Sequence, residues 1–97
     1  MQVRWYPEAE DDLDEIVRYI FQHNPVAAFQ LEDSLLDAAK NLAAMPYMGR
    51  LGRVFGTREL VVHPNYMLIY RIDDPVVHIT AVVHTSQHYP DGKKSTR

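Results

Sequence analysis

The apolar residues of this chain change period at Pro46, and that switch restricts the fold more than any other feature. Before it they recur every three or four positions: Leu13, Ile16, Val17 and Ile20 in one stretch, Ala28, Leu31, Leu35, Ala39 and Leu42 in the next. After it, Arg58 to His63, Tyr66 to Ile72 and Val76 to His84 are rich in β-branched and aromatic residues. The first spacing puts an apolar stripe along a helix, and the second kind of run makes a strand. Helices segregated before strands predict an α+β domain with the helices on one sheet face.

Finer signals set the boundaries. Gln2 to Tyr6 reads as a short first strand stopped by Pro7, which then occupies the first helical position, where its missing N–H costs nothing. Glu8, Glu10, Asp11 and Asp12 follow at the positive end of the helix dipole. Asn24-Pro25 reads as the N-cap and first residue of a second helix, so the two helices form an antiparallel hairpin. Residues 46–57, with three glycines and no period, read as a loop. Pro64-Asn65 and Asp73-Asp74-Pro75 are turn compositions that connect the three runs as a meander.

Alternation in the last run places Val77, Ile79, Ala81 and Val83 toward the helices, with His78, Thr80, Val82 and His84 on the opposite, partly open face. The middle run is apolar on both faces, as in a central strand. The expected architecture is an N-terminal strand, an antiparallel two-helix hairpin and a three-stranded antiparallel meander. It forms a single domain over 1–97, with 85–97 a flexible tail.

At 97 residues the chain has room for one modest core and none for a separate cofactor-binding domain. No apolar run exceeds five residues, far below the roughly 18 to 20 that cross a bilayer, and the N-terminus lacks a secretory pattern. With no cysteine, disulfides and cysteine-ligated zinc are excluded, and a cytoplasmic location is expected. The net charge of −3 conceals an asymmetry. Residues 1–49 hold three basic and nine acidic residues, and residues 50–97 seven basic and four acidic. An anionic partner is therefore expected at the second half.

Few residues there carry chemistry. Gly49, Gly52 and Gly56 make neither a P-loop nor a dinucleotide fingerprint, and are read as supplying positive φ in a long connection. His84 and His88 lack any companion ligand motif, so no metal and no small-molecule cofactor is expected. Glu8 to Glu15 read as a solvated helix face. Arg50, Arg53, Arg58 and Arg71 could converge on one side of the sheet, or Arg58 and Glu59 could form a cross-strand ion pair. His84, ending the last strand on the open face, could act as a general acid or base or only as a hydrogen-bonding group.

Several pieces in order carry a family resemblance: Glu8 to Leu13 opening a helix, Ile16 to Ile20, Asn24 to Ala28, Gly49-Arg50, Gly56 to Val62, Tyr66 to Ile72 and Val82-Val83-His84. Together they resemble the RelE/ParE superfamily of bacterial toxins from type II toxin–antitoxin pairs, over nearly the whole chain. The resemblance implies a small α+β toxin neutralised by a cognate antitoxin, here expected to contact Leu13, Ile20, Tyr66 and Met67. It implies either of two targets. ParE-like members poison DNA gyrase, and RelE-like members cut mRNA on the ribosome.

Met67 stands where RelE-like toxins carry an arginine, and Thr85, Ser86 and Gln87 where they carry further charge. YafQ-like nucleases pair a histidine, matched by His84, with an aspartate, replaced here by Asn65. Asparagine cannot take up a proton as a carboxylate does. These departures favour a ParE-like gyrase inhibitor whose target contacts are Arg50, Arg53, Arg58 and Arg71. A ribosome-dependent mRNA endonuclease with His84 catalytic is the alternative, and a nontoxic antitoxin-binding remnant the third reading.

Overall fold

Pro7 and Pro25 each open a helix in the computed structural model of the protein, which describes residues 1–87 and 89. Strand β1 (Gln2–Trp5) leads into α1 (Pro7–Phe21) and α2 (Pro25–Asn41), and β2 (Arg50–Leu51), β3 (Arg58–His63), β4 (Tyr66–Asp73) and β5 (Val76–His84) follow. Asn24 caps α2 as its composition predicts, its side-chain oxygen accepting from the Ala27 N–H at 3.1 Å. No helix among the described residues is long and apolar enough to cross a membrane.

The five strands form one sheet in the order β1-β5-β4-β3-β2. β3, β4 and β5 are the expected antiparallel meander, with β1 added parallel to β5. The helical hairpin is thus the crossover that a parallel pair requires. The segment expected to be only a loop contributes β2, an edge strand pairing Arg50 with Glu59 and Leu51 with Arg58. Two residues are too few to show a period, so this strand exists through its partner rather than its own pattern.

The main core lies between helices and sheet, where Leu13, Leu31, Leu35, Ala39 and Leu42 meet Leu68, Tyr70, Val77, Ile79 and Val82. Ile16, Val17 and Ile20 complete the α1 stripe at its margin. Met67, Ile69 and Val83 form a second cluster on the other face, against which Ala81 and Tyr89 pack. The central strand is therefore apolar on both faces, as expected, and its second face is partly roofed.

One irregularity changes which residues share a face. Ile69 pairs with Ala81 but Tyr70 pairs with Ile79, so Thr80 is an extra residue in β5, a β-bulge. Strict alternation fails there. Val77 and Ile79 meet the helices as expected, whereas Ala81 and Val83 do not; Val82 takes their place in the main core. The parity of everything after Thr80 is reversed, His84 included.

Asp12 is the helical counterpart of this bulge. Read as part of a solvated acidic face, it is instead buried, accepting a 3.0 Å hydrogen bond from the Val82 N–H. The reason lies in the topology: β1 ends at Trp5 opposite Ile79, so β5 beyond that point has no strand on its outer side. A carboxylate from α1 satisfies the donor left there.

Tyr70 is fully buried, and its hydroxyl donates to the Pro46 carbonyl at 2.7 Å and accepts from the Gly49 N–H at 2.9 Å. Its pKa is raised above the usual 10.0 by burial, against the lowering influence of the Gly49 hydrogen bond and the Arg58 charge. Tyr66 is raised too, by burial first and by nearby Tyr19 second. Both phenols thus hold their protons in the fold at pH values where the unfolded chain ionises. Stability should be insensitive to these groups below about pH 10 and fall as pH rises beyond it. Tyr70→Phe should flatten that alkaline limb in urea titrations at stepped pH; an unchanged slope would exclude Tyr70 as its source.

The expected flexible tail is partly anchored. Thr85 donates its N–H to Asn65 and its hydroxyl to Pro64, both at 2.9 Å, and Gln87 accepts from the His84 N–H at 3.2 Å. The remainder of that expectation, His88 and residues 90–97, lies outside the described residues.

Candidate functional site

His84 lines a groove rather than the open sheet face. With Tyr66, Ser86 and Gln87 it faces Glu15, Ile16 and Tyr19 of α1 across a concavity of about 710 Å³. The bulge at Thr80 is the cause, because it turns His84 to the side of its β4 partner Tyr66, which packs on the helix-side core. The two rings meet edge to face with centroids 5.2 Å apart. His84 Nδ1 accepts from the Ser86 N–H at 3.1 Å and lies 2.8 Å from the Ser86 hydroxyl. An accepting Nδ1 puts the proton of the neutral ring on Nε2.

The four arginines do not converge. Arg50 and Arg53 are held by Glu59, which is 3% exposed. Arg50 Nε donates to Oε1 at 3.0 Å, and the Arg53 backbone N–H donates to Oε2 at 3.1 Å. The Arg53 guanidinium lies 3.5 Å from Oε2 and stacks over the Tyr89 ring at 4.6 Å. Arg58 projects from the opposite face, beside Tyr70, where it donates to the Gly49 carbonyl at 2.7 Å and covers the Tyr47 ring. Arg58 and Glu59 are therefore not an ion pair, since adjacent strand residues point to opposite faces. Arg71 sits farther along, donating to the Tyr6 hydroxyl at 2.6 Å.

Of the positions expected to meet an antitoxin, Ile20 and Tyr66 are half-buried at the margin of the core, whereas Leu13 is 8% and Met67 0% exposed. Sequence reasoning offered Glu59 only as a partner of Arg58 and missed that this carboxylate ties β2 and its loop to β3 through Arg50 and Arg53. A charged residue inside an otherwise apolar run, Glu59-Leu60-Val61-Val62, was the available signal. It also missed Tyr19 and Gln87, which reach the groove only through helix packing and a turn. The glycines differ from expectation as well. Among the described residues only Gly56 has positive φ (85°), and Gly49 is required because a Cβ would come within 2.7 Å of the Glu59 carbonyl.

Chemically, the groove offers one imidazole with aromatic and hydroxyl neighbours and the Glu15 carboxylate, and the opposite face carries Glu59, engaged on both oxygens, and Asp73 beside His78. The sheet separates His84 from Glu59, so these two cannot act together as an acid and base on one substrate.

Comparisons with known proteins agree with this architecture. Toxin RelE2 of Caulobacter vibrioides is 41% identical over 86 residues, 89% of this chain and 97% of that protein. A structure from the chromosomal ParDE toxin–antitoxin system of P. aeruginosa superimposes with a TM-score of 0.77 at 23% identity, covering 87% of this chain and 95% of that one. The E. coli DinJ–YafQ complex contains a chain that matches at a TM-score of 0.56 and 12% identity, over 92% and 98% of the two chains. Residues 3–89 match the family described as the ParE toxin of the type II toxin–antitoxin system parDE. With that match spanning most of its length, the chain belongs to the ParE toxin family, within the RelE/ParE superfamily of type II toxins.

Proposed function

We propose that this toxin arrests growth by inhibiting DNA gyrase and is neutralised by a cognate antitoxin. One observation carries the choice of target: residues 3–89 match the family described as the ParE toxin of parDE. Asn65 and Met67, where the nuclease-like members carry an aspartate and an arginine, support the same reading, since an asparagine cannot take up a proton as a carboxylate does. The partner is supported by the family, and by DinJ–YafQ having been solved as a complex.

Purified protein should inhibit supercoiling by gyrase, or trap cleaved DNA on it, and leave ribosome-bound mRNA intact. Cleavage of mRNA on ribosomes with supercoiling untouched would reverse the assignment. Induction alone in a bacterial host should stop growth, and co-expression of the antitoxin should restore it. Harmless accumulation of folded protein would favour the nontoxic antitoxin-binding reading.

His84 tests the same point at one residue. His84→Ala removes the Ser86 contacts and the edge against Tyr66, which should cost about 1 kcal/mol of stability and leave toxicity unchanged. A His84→Ala protein that folds and binds antitoxin but is no longer toxic would make the nuclease reading the better one.

A further inference from the structure

We propose that Arg4, His78 and Arg71 form a phosphate-binding row on the sheet face turned away from the helices. The register places them side by side: Arg4 of β1 is paired with His78 of β5, which is paired in turn with Arg71 of β4. Residues directly opposite on neighbouring strands project to the same face, about 4.8 Å apart per strand. The two arginines thus flank the histidine, with Cα atoms about 10 Å apart, and both guanidinium arms can reach one anion above the ring.

Two features distinguish this row from Arg50 and Arg53 at the other end of the sheet, which Glu59 already engages. Arg4 is exposed, and its side chain makes no hydrogen bond or ion pair among the described residues. Arg71 is held in place by the Tyr6 hydroxyl at 2.6 Å, and the Tyr6 ring meets His78 edge-on, with centroids 5.6 Å apart. One tyrosine therefore orders two members of the row, lowering the entropic cost of closing them on a ligand. Guanidinium forks and an imidazole N–H suit the oxygens of a phosphate. The opposing charge is Asp73, whose carboxylate lies 3.9 Å from His78 Nε2 and is largely exposed. An anion must compete with it.

The inference goes beyond the proposed target, because a phosphate bound here is compatible with either; its test reads binding, not toxicity. The full chain is titrated with inorganic phosphate, with sodium chloride at matched ionic strength, and with a short oligothymidylate, while side-chain NMR signals are followed. Saturable shifts are expected at Arg4 Nε–H, Arg71 Nε–H and the His78 ring with phosphate and not with chloride. Arg4→Ala, an exposed change, should weaken binding about tenfold, the equivalent of one charged hydrogen bond. Asp73→Asn should tighten it. A response to phosphate alone assigns the row to the free ion, and a tighter response to oligothymidylate assigns it to a nucleic-acid strand. Shifts scattered over all arginines, or Arg4→Ala binding like the parent, would overturn the proposal.

Discussion

Gly49→Ala should be among the most destabilising single-methyl changes in this protein, costing about 3 kcal/mol. The added Cβ would lie 2.7 Å from both the Glu59 carbonyl and the Tyr70 hydroxyl, and 2.9 Å from Tyr70 Cε1. Neither obstacle can yield cheaply. The carbonyl belongs to β3, and the tyrosine is fully buried with its hydroxyl engaged on Pro46 and Gly49. Moving Gly49 instead would break its own two bonds, one to that hydroxyl and one from Arg58. Gly56→Ala is the internal control. Its φ of 85° imposes a backbone cost of about 1 kcal/mol, but no heavy atom stands within 4 Å of the new methyl. Urea denaturation of both variants should rank them far apart; a Gly49→Ala loss no larger than that of Gly56→Ala would show that the loop can shift away from β3.

Asp12→Ala should cost about 2 to 3 kcal/mol, enough to lower Tm by about 10 °C or more in a chain of this size. The variant loses a charge-assisted hydrogen bond and leaves the Val82 N–H buried beside α1 without that acceptor. Asp12→Asn, which keeps an acceptor oxygen, should retain about half of the lost stability. Hydrogen exchange locates the effect: the Val82 amide should lose protection in Asp12→Ala while the amides shared by β3 and β4 keep theirs. Uniform loss across the sheet, or a change below about 0.5 kcal/mol, would show that this carboxylate does not anchor β5 to α1.

Much of the architecture was legible because it rests on local patterns. The prolines and Asn24 mark both helix starts, and the stripes of α1 and α2 face the core where their spacing puts them. The apolar character of β4 on both faces likewise foretells a strand with a core cluster on each side. The candidate site was less legible. Arg50 and Arg58 were recognised as residues of interest, yet their opposite faces follow from pairing with Glu59 and Leu51, and two-residue β2 has no pattern of its own.

The sequence by itself determined the α+β class, the order of the elements and the family, since propensity, period and turn chemistry act within a few residues of the chain. Only the tertiary structure decided which groups share a surface. An extra residue at Thr80 reverses the parity of β5, exchanging Ala81 and Val83 for Val82 in the main core and moving His84 from the open face to the groove beside α1. Nothing in a period of two announces a bulge, because its stabilisation comes from elsewhere in the chain. Here one such contact is Asp12, seventy positions before the Val82 amide it accepts from.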